Sequence, residues 1–213
     1  VARRSYEQAC TLALTLDVVG ERWTLLLIRE LMLGPRRFTD LLDGLPGIGR
    51  NLLAARLHHL EDEGIVAKGR LPPPAASRVY ELTDDGRALG PAMAALSRWG
   101  VERRERPPKR YLFRPGWGIF PLAYMANTEA AAGVNESYEF RIDGEPYHLR
   151  VADGAVEPHA GPAPDPALVV AMDGKTLREL LLEDLSAEEG LTSGRIAVEG
   201  PPEVLGRAIA ILA

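Results

Sequence analysis

The stretch Ile48-Gly49-Arg50-Asn51-Leu52-Leu53-Ala54-Ala55-Arg56-Leu57-His58-His59-Leu60-Glu61-Asp62-Glu63 decides how the rest of the chain is read. Leu53, Leu57 and Leu60 recur at i, i+4 and i+7, which makes a single apolar stripe on a helix of 3.6 residues per turn. Gly64 follows where a glycine C-cap ends a helix. The opposite face presents Asn51, Ala55, His58 and His59, flanked by Arg50, Ala54 and Arg56. Such a face suits the DNA major groove. Asparagine pairs an adenine edge, arginine a guanine edge, and alanine meets a thymine methyl.

Upstream, residues 6–19 read as a helix with apolar positions on more than one face, and Gly20 breaks it. A second helix is expected over 21–33, ended by Gly34-Pro35, and a short third over Phe38-Thr39-Asp40-Leu41-Leu42. Downstream, 65–70 and 78–83 read as strands around a projecting loop, Leu71-Pro72-Pro73-Pro74-Ala75-Ala76-Ser77. Thr83, followed by Asp84 and Asp85, makes an N-cap with acid in the first turn, and the helix it starts is expected to reach Arg104. Three helices, a hairpin with a long tip and a further helix form a winged helix-turn-helix layout. In it Arg36, Arg37 and Thr39 precede the reading helix while Lys68, Arg70 and Arg78 flank the wing, all six as DNA contacts. The cations among them hold phosphates, which position a protein without reading sequence. Leu89, Met93, Leu96 and Trp99 form an apolar line without a partner in so small a domain, and are expected to be a dimer interface.

The charge splits along the chain. The total is −5, but residues 1–106 carry 16 Lys and Arg against 14 Asp and Glu, whereas 107–213 carry 9 against 16. For DNA binding the local footprint matters more than the total. No apolar run reaches the roughly 18–20 residues of a membrane span, and the first residues lack a signal-peptide core, so a cytoplasmic protein without a membrane partner is expected. Cys10 is the single cysteine, which excludes an intrachain disulfide framework.

Pro107-Pro108 marks a boundary, giving two expected domains, 1–106 and 107–213. In the second, a helix is expected over 121–131, strands over 137–142, 147–151 and 168–172, a helix over 175–182, a strand around 195–198 and a last helix over 203–212. Asp143-Gly144 and Asp153-Gly154 read as turns. The fold class is therefore α+β, a winged helix-turn-helix domain followed by a small α+β domain. Trp117-Gly118-Ile119-Phe120 lies outside any amphipathic pattern. With Tyr124, Met125, Tyr138, Phe140 and Tyr147 it forms the expected lining of an apolar ligand pocket, or the core of a domain that only buttresses a dimer. His148 and His159 stand isolated, and Glu183-Asp184 with Glu188-Glu189 read as a solvated helix end and loop. His58-His59 are neighbours on a helix and point apart, so no metal site and no cofactor are expected.

Several blocks in order carry a resemblance. Cys10, Val19 to Ile28 (VGERWTLLLI), Arg37 to Leu41 (RFTDL), Leu57 to Ile65 (LHHLEDEGI), Tyr80 to Thr83 (YELT) and Trp99-Gly100 resemble the HxlR family of bacterial regulators over about residues 5–105. That resemblance implies a homodimer joined through the first and last helices of this region, bound to a pseudo-palindromic double-stranded operator. It also allows Cys10 to be a thiol sensor. The alternative is a packed cysteine, since no sequence neighbour lowers its pKa. Thr11 departs from the proline that many relatives carry. A looser resemblance links Tyr138 to Gly144 (YEFRIDG), Pro164 to Met172 (PDPALVVAM), Leu177 to Leu182 and Gly194 to Gly200 (GRIAVEG) to the sterol-carrier-protein-2 fold, which implies a hydrophobic tunnel for lipid-like molecules.

The function expected is a one-component transcriptional regulator whose DNA affinity is modulated by an apolar or amphipathic small molecule. Simple dimers of this kind mostly repress by occupying promoters, and the sequence leaves the sign open. The alternative is a lipid-like carrier or sequestering protein with a vestigial DNA-binding half. An enzyme is not expected, because no nucleophile–base pair has a workable spacing.

Overall fold

The computed structural model describes residues 5–74, 76–103 and 111–212. They divide into two compact units, Val1–Gly90 and Pro91–Ala213. The Pro107-Pro108 joint lies outside the described residues.

The first unit holds helices α1 (Thr11–Val19), α2 (Thr24–Met32), α3 (Phe38–Gly44) and α4 (Arg50–Asp62), then strands β1 (Val66–Arg70) and β2 (Arg78–Leu82) and a one-turn helix α5 (Asp84–Arg87). Leu27, Ile28, Leu41, Leu53, Leu57 and Leu60 are fully buried, and the hairpin adds Val66, Val79 and Leu82. Each such side chain is stabilising by about 1.5–3 kcal/mol through burial, and together they fix α4 leucine-side inward. β1 and β2 are antiparallel with Lys68 opposite Tyr80. Arg36 adds a single bridge to Tyr80 on the other side of β2, giving and receiving backbone hydrogen bonds of 2.9 and 2.8 Å.

Two expectations change here. The first helix starts at Thr11, not at residue 6, because Asp17 captures the preceding segment: its carboxylate accepts from Ser5 Oγ at 2.8 Å and from the Tyr6 backbone N–H at 2.9 Å. The expected continuous helix from Thr83 to Arg104 is two helices, α5 and α6 (Gly90–Glu102). Pro91 has no N–H to offer the turn before it, so the helix restarts there. Thr83 does cap α5, accepting from Gly86 N–H at 3.1 Å.

The second unit contains α7 (Pro115–Tyr124), β3 (Asn135–Ile142), β4 (Glu145–Ala152), β5 (Ala155–Ala160), β6 (Leu168–Met172), α8 (Gly174–Leu181), α9 (Ala187–Thr192), β7 (Ala197–Glu199) and α10 (Pro202–Leu212). The five strands run in the order β5-β4-β3-β6-β7. β3 lies antiparallel to β4 but parallel to β6, so the sheet is mixed. Asp143-Gly144 and Asp153-Gly154 both have positive φ at each residue, at 52° and 82° and at 47° and 89°. That is the two-residue hairpin geometry which matches strand twist.

The even-numbered face of β3, with Tyr138, Phe140 and Ile142, meets Leu149 and Tyr147 of β4 and Leu168 and Val170 of β6 in register. All of these are buried. α7 packs on β4 and β5 and against α8. At Gly118 an added Cβ would stand 2.8 Å from tip carbons of both Leu177 and Leu181, so glycine there sets the close approach of α7 to α8. The helix expected over 121–131 in fact lies at 115–124 and absorbs the Trp117-to-Phe120 stretch. Gly116, Gly118 and Pro121 are poor helix formers, and burial of Ile119, Phe120 and Ala123 outweighs them. The strand β5 and helix α9 were not expected. Pro158 disguises β5, yet proline is tolerated on an edge strand. α9 is started by a reciprocal Ser186–Glu189 cap, which makes a first turn of the acidic stretch expected as a loop.

Candidate nucleic-acid interface

α4 presents its residues much as its leucine stripe requires. Arg50, Asn51, Ala54, Ala55 and His58 are exposed, opposite Leu53, Leu57 and Leu60 at 0, 1 and 0% exposure. Leu52, absent from the sequence-based reading, is also 37% exposed at the start of this surface. The helix ends in Glu61, Asp62 and Glu63, so cations and neutral groups gather toward its N-terminus and acids toward its C-terminus. Together with the helix dipole, this makes the N-terminal half the end that a polyanion favours. His58 Nε2 lies 3.6 Å from the Asp62 carboxylate one turn on.

Two residues assigned to the exposed face belong elsewhere. Arg56 turns to the protein: its side chain is 19% exposed and its Nη2 sits 2.8 Å from Glu21 Oε2. His59 is half-buried, and its Nε2–H donates to the Val18 carbonyl at 3.0 Å. Both partners lie at the α1–α2 junction, which the sequence marks only through the VGERWT block. Trp23, in that block, has φ +80, a conformation uncommon for a bulky residue. Its ring lies against Gly47, in the turn before α4, and Arg22 covers the ring at 5.4 Å from its centroid.

The wing and the α3 end divide into engaged and unengaged cations. Asp40 grips the Arg37 guanidinium at 2.9 Å and accepts from its backbone N–H. The side-chain hydrogen bond holds the Arg37 pKa above and the Asp40 pKa below the ordinary values. Lys68 Nζ is 2.8 Å from Glu61 and 5.9 Å from the Tyr80 ring centroid, and the Glu61 bond raises its pKa. Arg70 Nε donates to the Ala76 carbonyl at 3.0 Å. Arg50 and Arg78 are exposed and carry no ion pair among the described residues, Thr39 is exposed, and Arg36 is half-buried.

The apolar line expected at the dimer interface is split by exposure. Met93 is buried at 7%, Leu89 is half-buried, and Leu96 and Trp99 are 54% and 57% exposed. α1 adds Leu12, Leu14 and Leu16, all exposed. Cys10 is neither packed nor unperturbed. It is exposed, precedes the first turn of α1, and faces the Ala13 and Leu12 amides, which lower its pKa. This corrects the expectation that nothing nearby lowers it.

In the second unit the residues expected to line a ligand pocket fall into two sets. Phe120, Tyr138, Phe140 and Tyr147 are core residues, 0–8% exposed, while Trp117, Tyr124 and Met125 are half-buried. Phe120 and Tyr124 have ring centroids 5.0 Å apart. The Tyr138 hydroxyl donates to Glu136, which also binds Arg207, and burial, helped by that bond, pushes its pKa up to about 12. An open groove of about 460 Å³ lies elsewhere, at the ends of β3 and β6, between Arg141, Asp143, Met172 and Arg195. None of the expected pocket residues lines it. His148 and His159 are not isolated: they stack across β4 and β5 with ring centroids 4.8 Å apart. Among the described residues no cluster of three His, Cys, Asp or Glu is placed to hold a metal, and no helix is long and apolar enough to cross a membrane.

Comparison with known proteins matches two separate stretches of the chain. Residues 18–107 match the family described as HxlR-like helix-turn-helix, and residues 121–213 match the alkyl sulfatase C-terminal family. The latter match gives the second half a more specific likeness than the looser sterol-carrier resemblance. The HTH-type transcriptional regulator YvaP of Bacillus subtilis is 35% identical over 86 residues, covering 40% of this chain and 80% of that protein. YodB, an HTH-type transcriptional regulator of the same organism, is 37% identical over 83 residues, 39% of this chain and 74% of its own length. Among solved structures, the reduced form of YodB aligns with a TM-score of 0.42 at 32% identity, over 46% of this chain and 96% of that one. The sec-alkylsulfatase Pisa1 of Pseudomonas aligns with a TM-score of 0.42 at 17% identity, and this chain spans 16% of that enzyme. With its helix-turn-helix and its wing in the region that these regulators match, the chain belongs to the HxlR-like helix-turn-helix family of transcriptional regulators.

Proposed function

We propose that the protein binds an operator in double-stranded DNA as a homodimer, and that an apolar or amphipathic small molecule held by the second unit modulates this binding. The observation that carries the reading is α4 itself, with Asn51, Ala54, Ala55 and His58 exposed opposite a buried leucine stripe, Arg50 exposed at its start and Arg78 exposed on the wing. A helix of 13 residues is about 20 Å long, and the major groove admits it. In this arrangement Arg50, Asn51 and the alanines read base edges while Arg36, Arg70 and Arg78 meet phosphates. Arg37 and Lys68 reach DNA only after exchanging an internal carboxylate for a phosphate. The exposed leucines of α1 and, in the other unit, Leu96 and Trp99 of α6 are each apolar groups available to a second protomer.

The half-buried Trp117, Tyr124 and Met125 mark where an apolar ligand enters the second unit. Coupling requires that the ligand bind the DNA-competent and DNA-incompetent dimers with different affinities. An exposed Cys10 with a lowered pKa gives thiol-reactive compounds a second route of control beside the α1 surface. Selection from a random duplex pool, followed by footprinting of the chain's own upstream region, tests the reading. A protected pseudo-palindrome is expected. Uniform, fully salt-sensitive binding to every duplex refutes a sequence-reading role.

A further inference from the structure

We propose that the α1–α2 junction sets the position of the reading helix, with Arg56 and His59 as positioning residues and not DNA contacts, so that a shift of α1 is carried into α4. The inference rests on the DNA-reading role of α4 proposed above. Three contacts join the junction to successive parts of the helix. The Trp23 ring lies against Gly47 in the turn that leads into α4. The Glu21 carboxylate holds Arg56 in its middle at 2.8 Å. The Val18 carbonyl, in the last turn of α1, accepts from His59 one turn further along at 3.0 Å.

Arg56 and His59 are three residues apart and so share one flank of the helix. The leucine stripe fixes the depth of α4 and the face it turns to the core but leaves sliding and small rotations along the apolar surface less constrained, because burial is non-directional. Directional bonds on one flank remove that freedom. Arg56 is committed to this internal role, since most of its side chain is covered and its Nε is buried without a hydrogen-bond partner. The Val18 carbonyl is one of the terminal carbonyls that α1 cannot satisfy internally, so His59 also ties down the end of α1. The other end of α1 bears Cys10 and its faces bear Leu12, Leu14 and Leu16. An event at either is therefore transmitted to α4 through two polar bonds and one ring contact.

The test measures binding of the protein to its selected duplex and to a random duplex of equal length, over a range of salt. Positioning predicts that Arg56→Ala and Glu21→Gln each lower the operator-to-random affinity ratio about tenfold, and that the double variant is no worse than either single one, as for residues that act as a pair. The salt slope should stay at the wild-type value. Arg56→Lys should recover part of the ratio, and His59→Gln, which keeps a donor, should retain more than His59→Leu. A phosphate-binding role predicts the reverse. Arg56→Ala would weaken both duplexes alike and lower the salt slope by about one unit for each phosphate released, while Glu21→Gln would free the guanidinium and tighten both. That pattern overturns the inference. Glu21 is exposed, so Glu21→Gln keeps the comparison readable where Arg56→Ala unfolds. A wild-type protein that prefers no duplex overturns the parent reading before any variant is made.

Discussion

Replacing Gly86 by alanine sets two opposed effects against each other in one helix. Alanine favours a helix over glycine by about 1 kcal/mol, so local propensity alone predicts a gain. The surroundings predict otherwise. A Cβ at Gly86 would stand well under 3.0 Å from the Ile65 carbonyl oxygen, 3.0 Å from Leu82 Cδ2 and 3.2 Å from Leu82 Cβ. The Ile65 oxygen has no room to retreat, since it already accepts from Thr83 N–H at 3.1 Å and Thr83 Oγ at 3.2 Å. Relief needs a shift of backbone joining the end of α4 to the wing, and overpacking of that kind costs about 1–3 kcal/mol. The net expectation is no gain and a loss of up to about 2 kcal/mol. Gly206→Ala in α10 is the matched control, because nothing lies within 4 Å of its added Cβ. There the gain of about 0.5–1 kcal/mol should appear undiminished. Urea unfolding of the protein, followed by far-ultraviolet circular dichroism, reads both variants. A Gly86→Ala protein stabilised as much as the Gly206→Ala control would refute the reasoning from backbone contact.

Other consequences follow from the same structure. Asn51→Ala should reduce operator preference by about 1–3 kcal/mol with little effect on random DNA, whereas Arg78→Ala should weaken both and flatten the salt slope by about one unit; filter binding across salt separates the two. Leu96→Glu combined with Trp99→Glu should leave a monomer in sedimentation at micromolar concentration, and a persistent dimer would place the interface elsewhere. His159 has its pKa lowered by burial first and then by the stacked His148, with Glu157 opposing and Arg150 adding. The folded chain then binds fewer protons than the unfolded one below about pH 6.5, so stability should fall as pH drops from 7 through that value. His159→Gln should flatten this dependence, measured as urea midpoint against pH. A fluorescent fatty-acid probe should bind the wild-type protein and lose affinity with Trp117→Ala, and no uptake by the wild type would leave the second unit without the proposed ligand.

Much of the first unit was legible because its signals are local. The stripe of Leu53, Leu57 and Leu60, the Gly64 stop and the Thr83 cap each act within a few residues, and each kept its expected role, as did the Asp-Gly turns of the second unit. What neighbours in sequence cannot reveal came from contacts distant along the chain. Arg56 and His59 looked like members of an exposed face, because periodicity places a side chain by angle and says nothing of Glu21 or Val18 waiting on that flank. His148 and His159 looked isolated until the β4–β5 register put them side by side. Cys10 looked like a helix-interior residue until Asp17 drew the preceding segment away and left it at a helix start.

The second unit was harder to read, and the reason is energetic. In α7, glycines and a proline oppose the helix, and only burial of Ile119, Phe120 and Ala123 sustains it. In β5, Pro158 opposes a strand, and only its place at the sheet edge tolerates it. The parallel pairing of β3 with β6 joins residues some thirty positions apart, beyond the reach of any local pattern. By itself the sequence determined the periods, caps and turns, hence the elements of the winged half and its α+β companion. Tertiary structure alone decided which polar side chains on those elements remain available to a partner, because ion pairing and burial depend on what the folded chain brings within a few ångströms.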